Sequence, residues 1–427
     1  MRGFCIILQP LKTKHTVNQV YKVSLIDKME KNEFRLYFID AIRAWAILMM
    51  LQGHFVDGLL DNAYRVDSNV FYTVWKYFRG ITAPVFFTVS GFIFTYLLIK
   101  GDAFGLSNPR VQKGIKRGLS LLFIGYLLRL NFFGLLKLQI YNSFYLVDVL
   151  HCIGLSLLGI IGLYLLTAKR SLYLFAATLI SLSVFLFVFE PYYKQFTFNY
   201  LPSLLANYFT KSNGSVFTIF PWFGYAGIGA FISVIFNRFK THRFLYPATI
   251  SSFIALGLSL IFFSSDLFAF LSQKTGVEIF ALIYFNNYLF IRLGDVLLVF
   301  AIFMLFRKFM TNPKMLQIGQ STLSIYVVHY VLLYGSFTGL GLYYFLHHTL
   351  PPSIVIPGAL IFISLTTVLA LRYEKNKAQI KAAIAKPSKL ISQKARQGIH
   401  EESLRFLKAF AIKSKGTLLR LFRLVKN

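Results

Sequence analysis

Residues 36–60 read LYFIDAIRAWAILMMLQGHFVDGLL, an apolar run long enough to cross a bilayer as a helix. Four ionisable side chains interrupt it: Asp40, Arg43, His54 and Asp57. Ten residues separate Arg43 from His54. Eleven helical steps of roughly 100° make about three turns plus 20°, so the two side chains share one face roughly 16 Å apart along the axis. Asp40 and Asp57 extend the same stripe beyond each end. An ionisable group at membrane depth is costly and is expected to face protein or an aqueous cavity. The stretch therefore predicts a polar path through a membrane helix.

Composition generalises this reading to the whole chain. Of the 427 residues, 56% are hydrophobic and 14% charged, with a mean hydropathy of +0.60, and no soluble fold has enough interior for such a sequence. Spanning-length apolar stretches are expected near residues 37–60, 76–99, 117–136, 144–167, 171–190, 216–236, 244–264, 286–306, 316–338 and 353–372. The fold class is all-α: a polytopic integral membrane protein with about ten transmembrane helices in one bundle.

A formal charge of +29 would point to nucleic acid in a soluble protein; here its placement matters more than its sum, and no nucleic-acid partner is expected. Lys100, Arg110, Lys113, Lys116 and Arg117 follow the second expected span, Lys169 and Arg170 the fourth, Arg238, Lys240 and Arg243 the sixth, and Arg307, Lys308 and Lys314 the eighth. Loops after odd-numbered spans are poor in Lys and Arg. The positive-inside rule then places both termini in the cytoplasm, Arg43 towards it and His54 away from it. In a bacterium this would be the inner membrane.

Three parts follow: a cytoplasmic segment 1–34, a membrane domain 35–373 and a basic tail 374–427. The tail reads either as an amphipathic helix on an anionic inner leaflet or as a solvated basic segment. Within residues 1–28 the apolar FCIIL is too short for a signal peptide, and Met29 makes a natural start, so this segment is expected to be dispensable or an over-extended start. Cys5 and Cys152 offer no disulfide or metal framework, and no metal site is expected.

Four blocks carry a family resemblance: DAIRAWAILMMLQGHF, TAPVFFTVSGF, FPWFGYAGIGAF and IGQSTLSIYVVHY. In that order they resemble the transmembrane acyltransferase superfamily, closest to bacterial relatives of the heparan-α-glucosaminide N-acetyltransferase catalytic domain. The Arg–His spacing is also that of the acyltransferase-3 family. The resemblance covers roughly residues 34–373. It implies acyl-coenzyme A, by family habit acetyl-CoA, bound from the cytoplasm as donor substrate, and a sugar or glycan acceptor reached from the opposite face.

Acyl transfer from a thioester needs the attacking hydroxyl or amine deprotonated, and a neutral imidazole has suitable basicity. His54 is the expected general base, with covalent acyl-imidazole catalysis and a structural interhelix hydrogen bond as alternatives. Asp57, three residues on, is placed to orient the imidazole or else to serve as a membrane-edge carboxylate. Arg43 is assigned to donor binding, held by Asp40 or sharing donor contact with it. His329 and His151 lie at depths similar to His54, where they either converge on one cavity or bond neighbouring helices. Arg129, Asp148, Arg292 and Asp295 are expected to pair, with Arg292 a candidate for acceptor or coenzyme contact. Trp222, beside Pro221, Gly224, Gly227 and Gly229, is expected to lie against a ligand or a helix, and Ser90-Gly91 to permit close packing. Oligomeric state is unassigned. The rival readings are a transporter or flippase for a glycan or anion, although no matching inverted halves are seen, and a non-catalytic membrane scaffold on an acyltransferase fold.

Overall fold

The computed structural model describes residues 36–101, 103–380 and 382. The expectations for segment 1–28 and for most of the basic tail fall outside the described residues. Within them the secondary structure is helical, with one isolated parallel bridge between Leu60 and Leu350. The principal helices are α1 (Tyr37–Leu59), α2 (Val70–Leu98), α3 (Pro109–Arg129), α4 (Val149–Leu163), α5 (Leu172–Val188), α6 (Ile219–Arg238), α7 (Leu245–Thr275), α8 (Tyr288–Leu305), α9 (Pro313–Gln320), α10 (Thr322–Tyr334) and α11 (Pro352–Ile380).

Local chemistry sets several helix starts. Asn69 accepts from the backbone N–H groups of Phe71 and Tyr72 ahead of α2. Asn108 and Asn312 do the same for Arg110 and Lys314, each followed by a proline at the first helical position, where a missing N–H costs nothing. Asp148 and His151 form a reciprocal cap at the start of α4.

The ten expected stretches all overlap helices, but not all of these helices are long and apolar enough to cross a membrane. Six have both the length and the apolarity to cross a membrane: α2, the stretch Asn142–Ala168 containing α4, α6, α7, α8 and α11. The chain is an all-helical integral membrane protein. The ninth expected span is interrupted at Ser321 (φ −96°, ψ 15°), which separates α9 from α10.

Burial ranks the helices. In α6 and α2, 72% and 67% of the apolar window is buried, against 17% in α7 and 28% in α11. The first two form the centre, and the last two leave most of their apolar surface for lipid. Contact between α2 and α6 requires glycine: a Cβ on Gly91 would overlap the main chain of Ala226, and one on Gly229 the main chain of Thr88. The α3–α4 pair meets similarly at Gly118 and Gly154. Around the α2–α6 seam, Phe92 packs against Phe38, Phe236 and Phe300 with centroid separations of 6.4, 5.8 and 6.0 Å. These edge-on and tilted contacts tie α1 and α8 to the centre.

The chain divides after Thr367 into two units. The described part of the second continues α11 and carries a Lys377–Glu374 ion pair of 2.9 Å.

Candidate active site

Three contacts join α1 to α9 and α10. Gln320 Nε2 donates to Asp40 Oδ2 (3.3 Å), Arg43 Nη2 donates to Thr322 Oγ1 (3.1 Å), and His54 Nδ1 lies 2.8 Å from the Tyr334 hydroxyl. Their sequence separations are 280, 279 and 280. A constant separation means that the two segments run parallel and in register. Gly319 makes the approach possible, since a Cβ there would overlap the Asp40 main chain.

At the first level, Arg43 Nη1 is 3.6 Å from Asp40 Oδ1, as the three-residue spacing predicts. Thr322 and Asp40 hold the guanidinium from two helices.

At the second level, some three turns along, His54 is half-buried and meets His329 edge-on with centroids 5.3 Å apart. The Nδ1 of His329 faces the Tyr326 carbonyl, which only accepts, so a neutral His329 carries its proton on Nδ1. Its Nε2 is then a lone-pair acceptor, buried and without a protein partner. Tyr334 lies against both imidazoles. When His54 Nδ1–H donates to the phenol oxygen, His54 Nε2 is the basic nitrogen.

Asp57 does not orient the imidazole. Its Oδ1 is bound by Arg65 Nη2 at 3.1 Å and by Arg79 Nη1, and its carbonyl accepts from Arg65 and faces His348 Nε2 at 3.1 Å. Two guanidiniums outcompete a neutral ring for one carboxylate, because both partners in those bonds are charged. Arg79 also lies over the Trp75 ring at 5.5 Å, and Trp75 Nε1 donates to Gln52 Oε1 at 2.8 Å. Gly53 leaves room for the Arg79 stem, whose Cγ would be 3.1 Å from an added Cβ.

The other expected residues occupy separate places. His151 is fully buried, 3.0 Å from Asp148 Oδ1 and edge-on to Tyr126 at 4.3 Å. Arg129 Nε closes the same network on Asp148 Oδ2 at 3.3 Å. Arg292 pairs with Asp295 at 2.9 Å and lies 4.3 Å above the Tyr77 ring, whose hydroxyl donates to the same carboxylate at 2.9 Å. Trp222 packs on Phe87 of α2 and on Phe217, at 5.1 and 4.9 Å, so the indole lies against a helix. Among the described residues no three His, Cys, Asp or Glu side chains cluster as metal ligands.

Sequence reasoning overlooked Tyr334, Thr322, Gln320, Arg65 and Arg79. Gln320 and Thr322 stood in a quoted block, but nothing local signals partners some 280 residues away.

A family model described as heparan-alpha-glucosaminide N-acetyltransferase, catalytic, matches residues 35–273. The match takes in α1, with Arg43 and His54, and ends before α8, α9 and α10. No curated protein matches the chain.

Proposed function

We propose, because the chain belongs to the heparan-alpha-glucosaminide N-acetyltransferase catalytic family, that it transfers an acyl group, acetyl by family precedent, from acyl-coenzyme A to a sugar or glycan acceptor. Membership assigns it a membrane acetyltransferase-like function. The donor arrives at the Arg43 level, which the basic loops make cytoplasmic, and the acceptor at the His54 level from the opposite face.

Arg43, braced by Asp40 and Thr322, binds a donor phosphate or shapes the entrance for the pantetheine arm. The separation of roughly 16 Å along α1 lets that arm bring the thioester to His54. His54 Nε2 takes the proton of the acceptor hydroxyl or amine as its oxygen or nitrogen attacks the thioester carbonyl. Collapse of the tetrahedral adduct breaks the carbon–sulfur bond, and the imidazolium returns the proton to the leaving thiolate. Tyr334 stabilises the imidazolium through Nδ1. His329, with its free Nε2, lies beside the reacting groups and can accept a hydrogen bond from the acceptor. Asp57 neutralises the neighbouring arginines.

One observation carries this reading: the parallel register of α1 with α9 and α10 builds a cation site and an imidazole site on one stripe. The test is thiol release from acetyl-CoA by purified protein supplied with a panel of sugars. Parental turnover in His54→Ala would remove His54 from the chemistry.

A further inference from the structure

The connection between α6 and α7, residues 239–244, reads FKTHRF, and both helices have the length and apolarity to cross a membrane. Their connection therefore stands at a membrane–water boundary. Next to it, between the two helices, lies a groove of about 420 Å³, within the ~300–1,000 Å³ usual for ligand sites. Ile235 and Phe236 of α6 line it together with Ala248 and Phe253 of α7, and Phe239 and Phe244 line it from the connection. Apart from His242, Thr249 and Ser252 the lining is apolar.

This groove belongs to the lipid-facing surface. Only 17% of the apolar window of α7 is buried, and Phe239 and Phe244 remain 50% and 51% exposed. In a bilayer such a surface is covered by acyl chains, so hydrocarbon is the natural filling of the groove.

Its rim is cationic. Arg238 closes α6, Lys240 and Arg243 lie in the connection, and Lys169 and Arg170 shortly precede Tyr173, whose hydroxyl accepts from Arg238 Nε at 3.2 Å. The Arg243 guanidinium lies 4.5 Å over the ring of Phe244, a lining residue. One cation is thus fixed beside the groove and another on its wall. The connection from α8 to α9 adds Arg307, 4.0 Å over the ring of Tyr246 near the start of α7. No acid offsets these charges locally. Between residues 149 and 265 the only one is Glu190, at the other end of α5, and Asp266 lies roughly 30 Å further along α7 from its start.

We propose that this groove binds an anionic phospholipid, with one acyl chain along its apolar wall and the phosphate held by Arg238 and Arg243. Tyr173 engages only Nε of Arg238, which leaves Nη1 and Nη2 as charge-assisted donors for phosphate oxygens. Basic pockets between membrane helices recognise anionic head groups in this way. A choline head group brings a cation of its own, which the rim repels. The site is independent of the acyl-transfer reading.

The test is native mass spectrometry of the purified full chain in detergent micelles holding phosphatidylglycerol or phosphatidylcholine with the same acyl chains. Phosphatidylglycerol should be retained more tightly. Arg238→Gln and Arg243→Gln should each weaken its retention about 5-fold, and together about 30-fold, the worth of one cation apiece near a membrane surface. Ala248→Trp, a change at an exposed position of the groove, should weaken it by filling the space. Lys113→Gln combined with Lys116→Gln, on α3, should leave it unchanged. All variants are compared at matched melting temperature, and the arginine variants decide alone if Ala248→Trp does not fold. Equal retention of the two lipids, parental retention in both arginine variants, or an equal loss in the α3 pair would overturn the proposal. So would parental retention in folded Ala248→Trp, or displacement of the lipid by glycerol phosphate, which would make a water-soluble phosphate the occupant.

Discussion

Tyr334→Phe removes the hydroxyl 2.8 Å from His54 Nδ1 and keeps the ring, whose centroid lies 6.1 Å from the imidazole. A neutral hydrogen bond of this kind contributes about 0.5–1.5 kcal/mol, and one to a charged partner about 1.5–3 kcal/mol. The imidazole is neutral before reaction and cationic when it holds the acceptor proton, so the bond strengthens towards the transition state. Only the difference between the charged and the neutral bond, about 1–1.5 kcal/mol, reaches the barrier, so at 1.36 kcal/mol per tenfold its loss predicts a fall in kcat of about 5- to 13-fold. His54→Ala should cost more, about 10²- to 10⁴-fold, because the base itself is gone. Donor KM should hold in both, since Arg43 lies about three turns away. Purified variants of matched thermal stability are compared by coenzyme A thiol release across acetyl-CoA concentrations. Parental kcat in Tyr334→Phe would refute the assigned role of the phenol, and a rise in donor KM with unchanged kcat would move Tyr334 to the donor site.

Arg43→Ala should weaken acetyl-CoA binding, and Arg43→Lys should recover part of it, because an ammonium keeps the charge but loses the planar fork held by Thr322 and Asp40; isothermal titration with acetyl-CoA measures this, and equal affinity for all three proteins would leave Arg43 only a packing role. Gly229→Leu should destabilise the bundle by more than the ~1–3 kcal/mol of ordinary overpacking, since its side chain meets Thr88 main chain rather than a movable rotamer; a parental melting curve would contradict the close α2–α6 approach. Cysteine replacing Ala63 should react with an impermeant maleimide from outside intact cells, and cysteine replacing Lys113 should not. The reverse pattern would invert the Arg43–His54 stripe.

Much of this molecule was legible in its sequence because membrane helices obey local rules. Length and apolarity marked the helices, since a backbone in lipid must satisfy its hydrogen bonds within each segment. Three of the four quoted blocks lie within the residues that the family model matches, and the Asp40–Arg43 pair followed from three-residue spacing on one helix. The Arg129–Asp148 and Arg292–Asp295 pairs were anticipated on the weaker ground that isolated charges at depth are unstable.

Tertiary structure decided what depends on partners far along the chain. The same periodicity that put Asp57 near the face of His54 could not show that Arg65 and Arg79 would claim its carboxylate. His329 and His151 looked equivalent by depth, yet packing set one 5.3 Å from His54 and the other against Tyr126 and Asp148. The bonds from His54 to Tyr334 and from Arg43 to Thr322 arise from the parallel register of α1 with α9 and α10. A helix's own sequence fixes which side chains share a face, but which neighbour that face meets, and in what register, is set by packing of the whole bundle.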